Sequence, residues 1–166
     1  MIRLKKLGHI QLRVADLERS KAFYRDVLGF RVAEQDPKHG DLFMTLGEDF
    51  HTLDMAQHES PEAVRGPARA LGVAHIAFQV ASYEALGEAY RTLLEYGVRI
   101  DRAMDHVNQR SIYFADPDGN RLEIYYEMPG ALARFPEGRG DQNRKLPVSA
   151  AGEPPPAWLA ECWPRS

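Results

Sequence analysis

The chain has a single cysteine, Cys162, near its end. One thiol makes no internal disulfide and no thiolate metal cage, which fits a reducing compartment. Long apolar runs are missing too. The N-terminus, MIRLKKLGHI, breaks its hydrophobic residues with charge. Neither a signal-peptide core nor a membrane span is expected, and the default location is the cytoplasm. Positive charge is not in excess: 21 Lys and Arg stand against 24 Asp and Glu, a net charge of −3. That excludes general attraction to nucleic acid or to an anionic membrane. What is present is a 166-residue chain, 44% hydrophobic and 27% charged, enough for one domain with a real core.

The sequence says nearly the same thing twice. LGHIQLRVADLERSKAFYRDVLGFRV (7–32) parallels VAHIAFQVASYEALGEAYRTLLEYGVRI (73–100). Each opens on a short alternating strand carrying His then Ile. Asp16 and Ser82 are suited to cap the helices that follow, about 17–28 and 83–96. Apolar residues recur in both helices at three- and four-residue spacing, and Gly29 and Gly97 close them. Two further strands follow in each half, at 41–47 and 51–57, then at 110–116 and 121–127. Each half therefore reads β-α-β-β-β. Pro61, Gly66 and Pro67 mark a linker over 59–70, between a first module of about 5–58 and a second of about 71–127. Together, residues 1–127 are expected to form a single catalytic domain. Residues 128–166 form a Pro- and Gly-rich tail, in which Trp158 and Trp163 point either to a packed turn of helix or to a partly disordered end.

Strand alternation sorts these residues by face. Ile10, Leu12 and Val14 share one face, and His9, Gln11 and Arg13 the other; Ile76, Phe78 and Val80 oppose His75, Ala77 and Gln79. In DPDGNRLEIYYE, Leu122, Ile124 and Tyr126 oppose Arg121, Glu123 and Tyr125. With the apolar faces under the helices, His9, His75 and Glu123 fall on the opposite faces at repeat-related positions. Two imidazoles and a carboxylate are the donor set of non-haem Fe(II) oxygen chemistry, and they also suit Zn(II), Mn(II), Co(II) or Ni(II).

These residues carry a resemblance. GHIQLRV, FYRDVLGF, AHIAFQV and DPDGNRLEI are similar to the motifs of the vicinal oxygen chelate superfamily, over about residues 5–127. That superfamily includes glyoxalase I, fosfomycin- and bleomycin-resistance proteins and type I extradiol catechol dioxygenases. The resemblance implies an α+β fold of two βαβββ modules pairing into a curved mixed sheet around a metal, with His9, His75 and Glu123 as its ligands. Within it, His51 in DFHTLDM, and His106 and Tyr113 in DHVNQRSIYF, are similar to the acid/base and substrate-binding residues of the extradiol enzymes. A histidine of near-neutral pKa suits deprotonation of a catechol, and a tyrosine hydroxyl suits a developing oxyanion.

The expected function is Fe(II)-dependent extradiol cleavage of a catechol with O₂, by a homodimer that binds no nucleic acid and no membrane. The alternatives are a glyoxalase-like lyase or isomerase, whose fourth ligand would be Asp54, and a drug-binding resistance protein, for which both histidines and Glu123 would be superfluous. In a regular strand His51 and Asp54 face opposite sides, which favours His51 at the metal with Leu53 and Met55 lining a ring-accepting pocket. Arg13, Gln11, Gln79, Arg110, Arg121 and the tail are the candidates for binding a substrate carboxylate.

Overall fold

The computed structural model describes residues 1–60, 62, 72–140, 142–161 and 163; Pro61, Gly66, Pro67 and Cys162 lie outside them. The chain divides into two compact units, Met1–Gly66 and Pro67–Ser166.

In the first unit, β1 (Ile10–Val14) leads into α1 (Leu17–Ala22), which ends in a π-helical turn, Phe23–Val27. Strands β2 (Arg31–Gln35), β3 (Leu42–Thr45) and β4 (Leu53–Gln57) follow. The sheet order is β1-β4-β3-β2, with β1 parallel to β4 and the other pairs antiparallel. The second unit repeats the pattern with β5 (Ile76–Gln79), α2 (Tyr83–Glu95), β6 (Ile100–Asp105), β7 (Gln109–Ala115) and β8 (Arg121–Glu127). Its sheet runs β5-β8-β7-β6-β9, the last strand (Arg144–Leu146) coming from the tail. Both units are thus βαβββ, each around a mixed sheet.

Capping starts the helices where the sequence predicts. The Asp16 carboxylate accepts from the Arg19 amide at 3.0 Å, and Ser82 Oγ from the Ala85 amide at 3.1 Å. Gly29 (φ +76°) and Gly97 (φ +67°) reverse the chain in the left-handed region at the other ends. One sheet face in each unit is core. Leu12, Met44 and Met55 are buried with Tyr24 in the first unit; Ile112, Phe114 and Leu122 are buried with Leu86 and Tyr90 in the second. Leu53 and Met55 belong to this core, since they stand in register with Ile10 and Leu12. They do not line a pocket on the histidine face, which corrects that expectation.

The tail is part of the second unit. β9 adds antiparallel to β6 with Leu146 opposite Ala103, and the 3₁₀ turn Ala157–Ala160 buries Trp158 to 4% exposure. The Trp158 indole donates to the Pro147 carbonyl at 2.9 Å, its ring meets Tyr90 edge-on at 6.1 Å, and its carbonyl accepts from the Tyr83 hydroxyl at 2.7 Å. Arg110 lies in register with Tyr126 and so shares the core face. It is 2% exposed and paired with Asp105 and Glu161, each at 3.1 Å. A guanidinium committed in this way is a tail anchor, so Arg110 drops out as a substrate-binding candidate. No helix among the described residues is long and apolar enough to cross a membrane.

Candidate metal centre

In the second unit, β5 and β8 are parallel neighbours with Ala77 opposite Glu123, which places Glu123 on the face that carries His75. His75 Nε2 is 2.9 Å from Glu123 Oε2. Glu123 is only 3% exposed, and its other oxygen accepts from the Gln109 amide at 3.3 Å. A buried carboxylate needs a compensating partner. Among the described residues no Lys or Arg hydrogen-bonds to it, so Glu123 and His75 make an N/O pair suited to a cation.

Tyr113 stands opposite Glu123 on β7, its ring edge-on to His75 at 5.8 Å. Burial raises the pKa of its hydroxyl, and the nearby Glu123 charge raises it further. The phenol therefore stays protonated and can donate. Its oxygen is 3.1 Å from His106 Nε2, while His106 Nδ1 is 2.5 Å from the Asn143 side-chain oxygen. An amide oxygen only accepts, so Nδ1 carries the imidazole proton and Nε2 is left to accept from Tyr113. On the far side of Tyr113, the Arg102 guanidinium carbon lies 4.1 Å from the ring centroid.

In the first unit, His9, His51 and Asp54 offer ligand atoms that all lie within 4.8 Å of one another. His51 Nε2 is 3.2 Å from His9 Nδ1, and Asp54 approaches His9 at 3.6 Å and His51 at 3.8 Å. Asp54 is not turned away from His51, which corrects the expectation from strand parity. β4 begins only at Leu53, so His51 sits in the preceding bend, where alternation does not apply. Asp54 pairs in register with Gln11, as Glu123 does with Ala77, so the two carboxylates hold the same place in the two units. Phe43 stands opposite Asp54, its ring 5.4 Å from His51.

The residues fit a divalent metal. Asp54 is 5% exposed, and Asp54 Oδ1 and His51 Nδ1 are buried without a hydrogen-bond partner. Imidazole and carboxylate donors without thiolate suit Fe(II), Zn(II), Mn(II) or Ni(II) rather than a soft ion. The structure thus brings His9 together with His51, and His75 with Glu123, Tyr113 and His106. Asn143 and Arg102 were missed from sequence. One comes from the tail, and the other from a strand whose alternation is broken.

Residues 6–124 match the model of a family described as the glyoxalase/bleomycin resistance protein/dioxygenase superfamily. A catechol-2,3-dioxygenase of Bacillus subtilis is 33% identical over 124 residues, covering 74% of this chain and 42% of its own length. The chain thus spans less than half of that relative. A metallothiol transferase, FosB, of Staphylococcus saprophyticus is 29% identical, covering 74% of this chain and 77% of its own. The fold is similar to that of a glyoxalase/dioxygenase from Nostoc punctiforme, with a TM-score of 0.63 at 24% identity over 75% of this chain and 92% of the other.

Proposed function

The chain belongs to the glyoxalase/bleomycin resistance protein/dioxygenase superfamily, and from that premise we propose that it is an Fe(II)-dependent extradiol dioxygenase acting on a catechol-type substrate. His9, His75 and Glu123 are assigned as metal ligands. Fe(II) held by these residues would supply Lewis acidity toward the catechol oxygens and redox chemistry toward O₂. The protein supplies the protons. His51 is assigned as the acid/base. The Tyr113 hydroxyl, which gives its one proton to His106 Nε2 in the unliganded protein, rotates to donate that proton to developing negative charge on the substrate oxygen. The observation that carries this reading is the Tyr113–His106 pair, 3.1 Å apart, on the face that holds His75 and Glu123. A second reading, a four-ligand lyase, isomerase or thiol transferase, is favoured by one feature: Asp54 beside His9 at the register of Glu123.

The test is anaerobic reconstitution with Fe(II), then a panel of catechols and air. Oxygen uptake with a yellow ring-cleaved semialdehyde is expected. An iron-loaded protein that consumes no oxygen overturns the dioxygenase reading, and Ni(II) or Zn(II) with a hemithioacetal then tests the second. The homodimer assigned on family grounds is checked by sedimentation.

A further inference from the structure

We propose that Arg102 selects substrates bearing a carboxylate, so that the ring-bearing substrate of this site is an anionic catechol; this rests on the dioxygenase reading. Strand β6 carries a defect. Ile100 pairs with Phe114 and Arg102 with Tyr113, so two residues of β6 advance while β7 advances one. The extra residue, Asp101, is a bulge. In a regular strand Ile100 and Arg102 would share a face. The bulge instead keeps Ile100 in the core, 7% exposed, and turns Arg102 to the face of Tyr113 and Glu123. Bulges beside active sites commonly re-aim one side chain in this way.

The result is one row across the sheet: Ala77, Glu123, Tyr113, Arg102. After Ala77 come the carboxylate of the candidate metal ligand, then the proton donor, then the cation. Arg102 is exposed, and no carboxylate pairs with it among the described residues. Its guanidinium rests on the Tyr113 ring at 4.1 Å. Stacking fixes the plane of the fork while leaving its N–H groups free for bidentate capture of a carboxylate. Arg121, named from sequence as a carboxylate-binding candidate, is also exposed and on this face, but it stands opposite Ala115 at the start of β8, outside the row of Glu123, Tyr113 and Arg102. It is therefore the control for a general charge effect.

The experiment compares 3,4-dihydroxyphenylacetate with its neutral amide, binding to metal-loaded protein under anaerobic conditions, by calorimetry. No turnover is required. Wild type is expected to prefer the acid by roughly ten- to a hundredfold, the size of a charge-assisted hydrogen bond. Arg102→Gln removes the preference and leaves affinity for the amide unchanged, Arg102→Lys keeps part of it, and Arg121→Gln keeps all of it. Equal affinity of wild type for both ligands, or a preference that survives in Arg102→Gln, overturns the role of Arg102 and leaves the catechol reading standing. Failure of wild type to bind either ligand defeats the catechol reading, and this inference with it.

Discussion

Gln11, Asp54, Phe43 and Glu34 cross the first sheet in the order in which Ala77, Glu123, Tyr113 and Arg102 cross the second. Even the bulge recurs, between Val32 and Glu34 in one unit and between Ile100 and Arg102 in the other. The backbone frame is the same and the chemistry is not. Both rows hold a buried carboxylate next to a histidine. In the second row the neighbour is a phenol hydrogen-bonded to His106, and in the first it is a phenyl ring packed on His51. The frame decides where a carboxylate is held, and the residue beside it decides whether a proton donor stands there. The sheet edges differ as well. β9 covers β6, whereas every residue of β2 is exposed, with Arg31 and Glu34 supplying the charge that discourages edge pairing.

The largest effects break the comparison at its carboxylates. His75→Ala and Glu123→Ala are expected to lose metal and activity together, and wild-type metal content in either refutes the ligand assignment. Asp54→Ala separates the two readings. The three-ligand assignment expects metal to be retained, and a four-ligand centre expects it to be lost, as metal analysis after dialysis would report. Next, His51→Ala should keep the metal and slow turnover by roughly two to four powers of ten; full activity removes His51 from the mechanism. Tyr113→Phe makes the second row resemble the first. It should keep the metal and cost about a hundredfold or more in kcat, as loss of an oxyanion donor does. Trp158→Ala tests the tail strap of the second unit. Emptying that site should destabilise the unit by about 3–5 kcal/mol, read as a lower unfolding midpoint in denaturant.

The βαβββ repeat, its helix caps and the placing of His75 with Glu123 were legible because they depend on local signals: alternation, capping residues and glycine stops. Three features were not, for reasons that are physical. Arg102 sits behind a bulge, which no alternation pattern reveals. His51 and Asp54 share a site because β4 starts late, and strand starts depend on pairing partners distant in sequence. Arg110 reads as a surface cation until Trp158 and Glu161 close over it, contacts across a long stretch of chain. Asp54 was the nearest to visible, since aligning the repeats on their strand registers puts it at the position of Glu123.

The smallest effect separates the rows by pH, in the metal-free protein. Tyr113 has a pKa raised above the ordinary 10.0, first because burial disfavours the phenolate and then because Glu123 is close. Tyr83 and Tyr125 are raised in the same direction, again chiefly by burial. Above the ordinary value the unfolded chain has released these protons and the native chain still holds them. The native state then binds more protons, so stability falls as pH rises through the folded pKa, while its contribution is complete below the ordinary value. Phe43, at the place of Tyr113, has no proton to release. This row's alkaline loss therefore has no counterpart in the Phe43 row, and it should shrink in Tyr113→Phe. Phenolate absorbance, followed through the same titration, should lose one late-titrating group in that variant. A Tyr113 that ionises with the exposed tyrosines would show that its hydroxyl is not held as a donor, and would return the second row to the passive role of the first.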